Sequence, residues 1–282
     1  MTLLLGAVAY DPKVVTIWEG FRRWLRGHQL DFDFVLYSNY ERQVEELVDA
    51  RIDVAWNSPL AWVRARRLAA ARGIELIPVT MRDTDCDLTS VIVTRGDAGL
   101  SSLDDLRGRT IATGAVDSPQ ATLIPLQLLR RQGVRPGEDV TVQRFDIGVG
   151  LHGDHIGGER EAARALSAGR VDAACMIDSN LLLFGQEGVL ASDVHVIART
   201  DAYDHCTMTA APSAEHCELA RFTELLLGMS YADPEVRVLL DLEGLKQWQP
   251  PRLEGYAQLE EAVDATGFYD ESGRIGAGDY RS

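Results

Sequence analysis

At 282 residues, with 46% hydrophobic and 25% charged side chains, the chain is long enough for two lobes or one large α/β unit and has the composition of a water-soluble globular protein. No apolar run approaches the roughly 20 residues that a membrane-spanning helix needs. The formal net charge of −15, with no compensating basic stripe, argues against a nucleic-acid or anionic-membrane partner.

The opening "MTLLLGAVAYDP" reads as a first strand over 2–9: it lacks the basic start and small-residue cleavage site of a signal peptide and ends in a turn-like Asp-Pro. On that reading the chain is cytoplasmic as written, or periplasmic or lipid-anchored if a signal was removed. A helix follows over 13–26, then a strand at 33–37, a helix at 41–50, a strand at 52–56 and a helix at 59–72. Further strands are expected at 75–79, 89–94 and 109–113, a helix at 119–132, a strand at 140–145, a helix at 159–168, and strands at 171–176 and 194–198. Such βα alternation predicts mainly parallel sheets with helices on both faces and ligands at the carboxyl ends of the strands. Gly157 and Gly158 are poor helix-interior residues, so the helix near 159 is expected to begin after them.

Two stretches echo each other. "LVDARIDVAWNSP" (47–59) and "LSAGRVDAACMIDS" (166–179) each read as a helix end, a tight turn, a buried strand and a polar loop, as two lobes of similar construction would. "SSLDDLRGRTIATGAVDSPQATLIPLQLL" (101–129) resembles the segment that opens the second lobe of type 2 periplasmic binding proteins. Within that superfamily, "NYERQVEELVDARIDVAWNSPLAWVRA", "GDHIGGEREAARALSAGRVDAACMIDS" and the tail from Tyr231 resemble the phosphate, phosphite and phosphonate branch of ABC-transporter substrate-binding proteins. The resemblance implies an α/β fold of two lobes, each a mainly parallel sheet flanked by helices, joined by two crossover strands. Lobe one would comprise 1–85 and 208–282, and lobe two 86–207. It also implies closing helices in the tail and a small anionic ligand held between the lobes.

Candidate site residues come from loops after strands. Ser118 can cap a helix whose first position is Pro119, leaving the N–H groups of Gln120, Ala121 and Thr122 at the positive end of the helix dipole, where an oxyanion fits. Asn57 and Ser58 before Pro59 repeat that logic in the first lobe. Tyr10 and Asp11 would line the cleft edge, Tyr37 and Tyr40 are candidate walls, and Asp178 would meet a cationic group on the ligand. By resemblance, His155 matches the histidine that hydrogen-bonds a ligand oxyanion. His152 is expected at the surface or behind the ligand. Pro119, Gln120 and Ala121 replace part of the hydroxyl cluster usual in phosphonate binders, so a carboxylate ligand is also plausible.

Cys86, Cys175, Cys206 and Cys217 show no zinc-type spacing, and neither metal nor cofactor is expected. Cys86 in "RDTDCDLTS" and Cys206 in "YDHCTMTA" fall in the two expected crossovers, where they would form a disulfide, act as thiols beside His205, or simply pack. The chain has no Walker loop, Rossmann fingerprint, nucleophile elbow or HExxH. The leading reading is a solute-binding protein that encloses a small oxyanion, phosphonate-like or carboxylate, for ABC-type uptake, partnered by importer membrane subunits. The rivals are a cytoplasmic lyase or decarboxylase on the same fold, and a ligand sensor.

Overall fold

The computed structural model describes residues 2–214 and 216–281. In chain order the elements are β1 (Leu3–Val8), α1 (Lys13–Gly27), β2 (Phe32–Tyr37), α2 (Tyr40–Val48), β3 (Val54–Asn57), α3 (Pro59–Ala71), β4 (Ile77–Pro78), β5 (Met81–Arg82), β6 (Ser90–Arg95) and β7 (Thr110–Thr113). A π-helical turn, Pro119–Leu123, leads into α4 (Ile124–Arg131). Then come β8 (Thr141–Arg144), α5 (Gly157–Ser167), β9 (Ala173–Ile177), α6 (Asp178–Gln186), β10 (Val194–Arg199), β11 (Thr207–Ala210), α7 (His216–Leu227), α8 (Pro234–Glu243), β12 (Trp248–Gln249) and α9 (Ala257–Thr266).

Two five-stranded sheets organise the molecule, in the orders β2-β1-β3-β11-β4 and β10-β6-β9-β7-β8. The expected parallel pairing holds for three strands of each: β2-β1-β3 and β9-β7-β8. The rest corrects the expectation of mainly parallel sheets. β11, which returns from the other sheet, pairs antiparallel with β3 and β4, and β6, which has just arrived, pairs antiparallel with β9 and β10. A strand entering from a neighbouring lobe has no preceding helix to reverse it, so it need not follow the βαβ rule.

Side-chain alternation builds the layers. Along β1, Leu3, Leu5 and Ala7 face one cluster with Val14, Ile17, Trp18, Phe21 and Leu25 of α1, which recur at helical spacing. Leu4 and Val8 face the other side, against Val44, Leu47 and Val48 of α2 and Trp62, Ala65 and Ala69 of α3. In the second sheet, Val91 and Val93 of β6 meet α5, while Ile92 meets Leu126 and Leu129 of α4. A further apolar cluster belongs to both halves: Leu60 and Val63 of α3, Leu123 and Ile124 beside α4, Leu259 and Val263 of α9, and Phe268, Tyr269 and Tyr280 beyond it. The C-terminal segment therefore packs against both halves.

α5 begins at Gly157, not after Gly158 as expected. A Cβ on Gly158 would lie 2.6 Å from Phe145 O and 3.1 Å from Ala115 N, so this glycine permits close backbone approach inside a helix. Gly158→Ala should cost about 1–3 kcal/mol, because a backbone carbonyl cannot swing aside. Gly185→Ala in α6, where nothing lies within 4 Å, should gain about 0.5–1 kcal/mol. Urea unfolding of the two variants checks both signs.

Candidate functional site

Two segments carry the chain between the sheets, one between β5 and β6 and one between β10 and β11, and they run antiparallel side by side. Leu88 and Tyr203 each donate a backbone N–H to the other's carbonyl at 2.8 Å, and His205 N donates to Asp85 O at 2.8 Å. Outside this pair, Arg252 clamps Asp87 (3.0 and 3.1 Å) and Asp204 (3.0 Å from Nε). Inside it, Arg82 donates to both carboxylate oxygens of buried Asp85 at 2.5 and 2.9 Å and to Glu243 O at 2.8 Å, with its guanidinium over the Trp56 ring. His205 Nδ1 lies 3.4 Å from Asp85 Oδ1 and 3.2 Å from Cys206 Sγ. Cys206 Sγ in turn lies 3.9 Å from Asp154 Oδ1, and Tyr40 OH donates to the other Asp154 oxygen.

Burial dominates the titration of this group. It would raise the Asp85 carboxyl, but the charge of Arg82 and the hydrogen bonds from His205 and Arg82 hold it at about 2. Burial pushes Glu243 up to about 7 against the partial relief of Arg82, and raises Asp154 against that of His205. The Cys206 thiol is raised by burial and by the carboxylates of Asp154 and Asp85. The Tyr10 phenol is raised by burial and by Asp154 and Glu243, so it faces the same acidic space.

A second buried network joins the halves nearby. His152 is fully buried and has φ 50°, a left-handed conformation held by its N–H donating to Asp117 Oδ2 at 3.0 Å. Its ring nitrogens reach Ser58 Oγ at 2.8 Å and Glu41 Oε1 at 3.0 Å. The same Glu41 oxygen accepts from Tyr269 OH and Tyr280 OH, each at 2.9 Å. Burial alone would raise Glu41 and lower His152. Their mutual charge and hydrogen bond reverse both, holding Glu41 at about 2 and raising His152.

Between the crossovers and the second sheet lies a cavity of about 240 Å³, lined among others by Arg82, Asp85, Gln120, Glu159, Asn180 and His205. On two of these lining residues, Gln120 Oε1 and His205 Nε2 are buried without a hydrogen-bond partner among the described residues. Glu159 Oε2 accepts from Asn180 Nδ2 at 2.8 Å and Ile177 N at 3.0 Å, and Gln120 Nε2 donates to Gly153 O at 2.7 Å. A larger groove of about 710 Å³, between α4 and residues 276–279, has Val116, Leu123, Leu126 and Phe268 on its walls. The smaller cavity is the better candidate, because it lies on the crossovers and carries the unpartnered polar atoms.

The family model for periplasmic substrate-binding proteins of phosphonate ABC transporters matches residues 7–256. The chain belongs to this family. Among solved structures it is similar to PhnD1 from Prochlorococcus marinus in complex with methylphosphonate, at 18% identity and TM-score 0.69, covering 95% of this chain and 99% of that one. It is also similar to a binding protein component of an ABC phosphonate transporter from Pseudomonas aeruginosa (14%, TM-score 0.62, 99% and 90% covered). A third is the periplasmic aliphatic sulphonate binding protein SsuA from Escherichia coli (17%, TM-score 0.54, 93% and 82% covered). At these identities the structural likeness shows the type 2 binding-protein fold; the family match selects the solute-binding reading over the lyase, decarboxylase and sensor.

Within this substrate-binding protein the sequence-derived candidates are dispersed. Gln120 lines the interlobe cavity, and Tyr10 and Tyr40 face the acidic group beside it. Asn57 and Ser58 are buried: Asn57 Oδ1 accepts from Gln43, and Ser58 Oγ caps Ala61 N and meets His152. Ser118 Oγ caps Ala121 N, as the sequence implies, and Ala121 and Thr122 are buried behind it. Tyr37 packs at the edge of the α2 and α3 core. Asp11 is exposed and caps Lys13 N at 2.8 Å. Asp178 opens α6 in a salt bridge with Arg199 at 2.6 Å, where the sequence suggested only a polar loop. His155 is exposed, its Nδ1 accepting from Gly157 N at 3.0 Å, whereas His152 is the buried histidine. Arg82, Asp85, Glu159 and Asn180 were not singled out by sequence. The polar run "RDTDCD" was the available signal for the first two.

Proposed function

We propose that the chain captures a small organic oxyanion, a phosphonate or sulfonate, between its lobes and presents it to the membrane subunits of an ABC importer, with no nucleic-acid partner. The lobes of this reading are 1–85 with 208–282, and 86–207. The observation that carries it is the cavity lying on both crossovers, where His205 Nε2 is buried without a hydrogen-bond partner among the described residues and Gln120 Nε2, which donates one proton to Gly153 O, has a second to offer an oxyanion. Family membership supports the transport role. The cavity is smaller than the roughly 300–1,000 Å³ typical of drug-sized sites, which favours a ligand of few heavy atoms. Gln120 from the sequence reading, Asn180 and His205 are the proposed contacts.

Calorimetric titration with methylphosphonate, 2-aminoethylphosphonate, ethanesulfonate and acetate tests this. At least one phosphonate or sulfonate should bind, and at a hundred times its Kd should stabilise the fold by about 2.7 kcal/mol. Gln120→Leu should weaken that binding by roughly tenfold to a hundredfold. Absence of heat and of thermal stabilisation with every phosphonate and sulfonate in the panel would refute the reading.

A further inference from the structure

The hinge holds a donor set that the binding of an oxyanion does not explain. Asp85 lies on the first crossover and His205 and Cys206 on the second; all three are buried, and their ligating atoms lie within 4.8 Å of one another. The measured edges, 3.2 Å from His205 Nδ1 to Cys206 Sγ and 3.4 Å from Nδ1 to Asp85 Oδ1, are close to the roughly 3.2–3.7 Å separations that tetrahedral zinc imposes on sulfur, nitrogen and oxygen ligands. Asp154 Oδ1 lies 3.9 Å from the same sulfur but outside the group whose atoms all fall within 4.8 Å, so three protein ligands are in place and the fourth position is left to a water or ligand oxygen.

Charge gives an independent reason for a cation here. The hinge and the adjoining cavity bring the carboxyl groups of Asp85, Asp154, Glu159 and Glu243 near Arg82, the His205 imidazole and, acting on Glu243, Lys13; burial raises Asp154, Glu159 and Glu243, so a cation there would take the place of protons. Arg82 already has both nitrogen edges on Asp85 and Glu243. A ligand oxyanion would add further negative charge beside these buried carboxyl groups, which is unfavourable without a compensating cation.

We propose that Asp85, His205 and Cys206 form a binding site for a divalent transition-metal ion of the zinc class. Sulfur, imidazole and carboxylate together suit such a borderline ion better than magnesium or calcium, which take oxygen alone. On binding, the Cys206 S–H bond breaks, the thiolate pair forms the bond to the metal, and the proton leaves to the buffer. Coordination through Nδ1 places the remaining imidazole proton on Nε2, the atom that lies unpartnered at the cavity, and makes it a donor toward an oxyanion. The ion would link the two crossovers to each other through Asp85 on one and His205 and Cys206 on the other. This proposal does not depend on which oxyanion is bound.

Cobalt(II) titration of the chelator-treated chain, without any organic ligand, tests it. One equivalent should bind, with the visible bands of tetrahedral cobalt and a near-ultraviolet thiolate-to-cobalt band, and Zn2+ should displace it. Cys206→Ser should remove the thiolate band, and His205→Gln and Asp85→Asn should each weaken uptake by more than about tenfold. Cys217→Ser, on surface helix α7, should change nothing. Circular dichroism reports whether each variant folds. If Cys206→Ser does not, stoichiometric proton release by the wild-type chain on Zn2+ addition replaces it as the readout. No stoichiometric uptake by the wild-type chain, or a spectrum unchanged in folded Cys206→Ser and His205→Gln, overturns the proposal.

Discussion

His152→Ala should lower the stability of the chain by about 3–5 kcal/mol, the cost of removing one partner from a buried ion pair. The imidazole is wholly buried, connects Ser58 and Glu41 of the first half to the loop before α5, and shares Glu41 with the phenols of the C-terminal segment. Without it, the Glu41 carboxylate retains two phenol donors but loses its charged hydrogen-bond partner. The effect has a pH signature. Glu41 is depressed to about 2 from its ordinary 4.5, so its contribution is complete above 4.5 and lost as pH falls toward 2. His152 is raised above its ordinary 6.5, so its contribution is complete below 6.5 and lost as pH rises through the elevated value. The gap between wild type and His152→Ala should be widest between these limits and shrink on both sides. Urea unfolding across pH measures that gap; a difference below about 1 kcal/mol at pH 5–6, the level of an exposed ion pair, would show that the network does not hold the halves together.

Arg82→Met should be comparably severe, about 3–5 kcal/mol, since it leaves Asp85 charged, 1% exposed and without its bidentate partner. For a chain of this size that corresponds to a fall in Tm of roughly 6–15 °C. Arg82→Lys should recover only part, because an ammonium cannot reproduce two parallel hydrogen bonds to Asp85 together with the contact to Glu243 O and the stacking on Trp56. Adding Asp85→Asn to Arg82→Met should be less destabilising than Arg82→Met alone. Thermal unfolding of this set, in chelator, gives the ordering; equal Tm values for Arg82→Met and wild type would remove the hinge pair from the account.

Elements with strong periodicity were legible in the sequence. The apolar run at 2–9 became β1 over Leu3–Val8, and the Val14, Ile17, Trp18, Phe21 and Leu25 spacing became the buried face of α1. Capping was legible too: Ser58-Pro59 and Ser118-Pro119 both open helices with the serine on the third amide along. Features decided by distant packing were not. Gly158 looked like a helix breaker because the approach of Phe145 O cannot be read from local propensity. Asp178-Ser179-Asn180 looked like a turn, yet it begins α6, where Asn180 is buried against Glu159. The two histidines of "GLHGDHIGG" were weighed by resemblance, while the left-handed backbone that turns His152 inward is set by Asp117, 35 residues earlier. The hinge cluster was half visible. Cys206 and His205 drew notice as crossover residues, but their meeting with Asp85, far away in sequence, follows from the pairing of the two crossovers.

The most direct test of the central claim is a crystal structure of the chain with whichever phosphonate or sulfonate binds tightest. Density for the ligand is expected in the cavity on the crossovers, with its oxygens in hydrogen-bond reach of Gln120 Nε2 and His205 Nε2. Ligand seated instead in the groove beside Leu126 and Phe268, with the interlobe cavity unchanged, would contradict it.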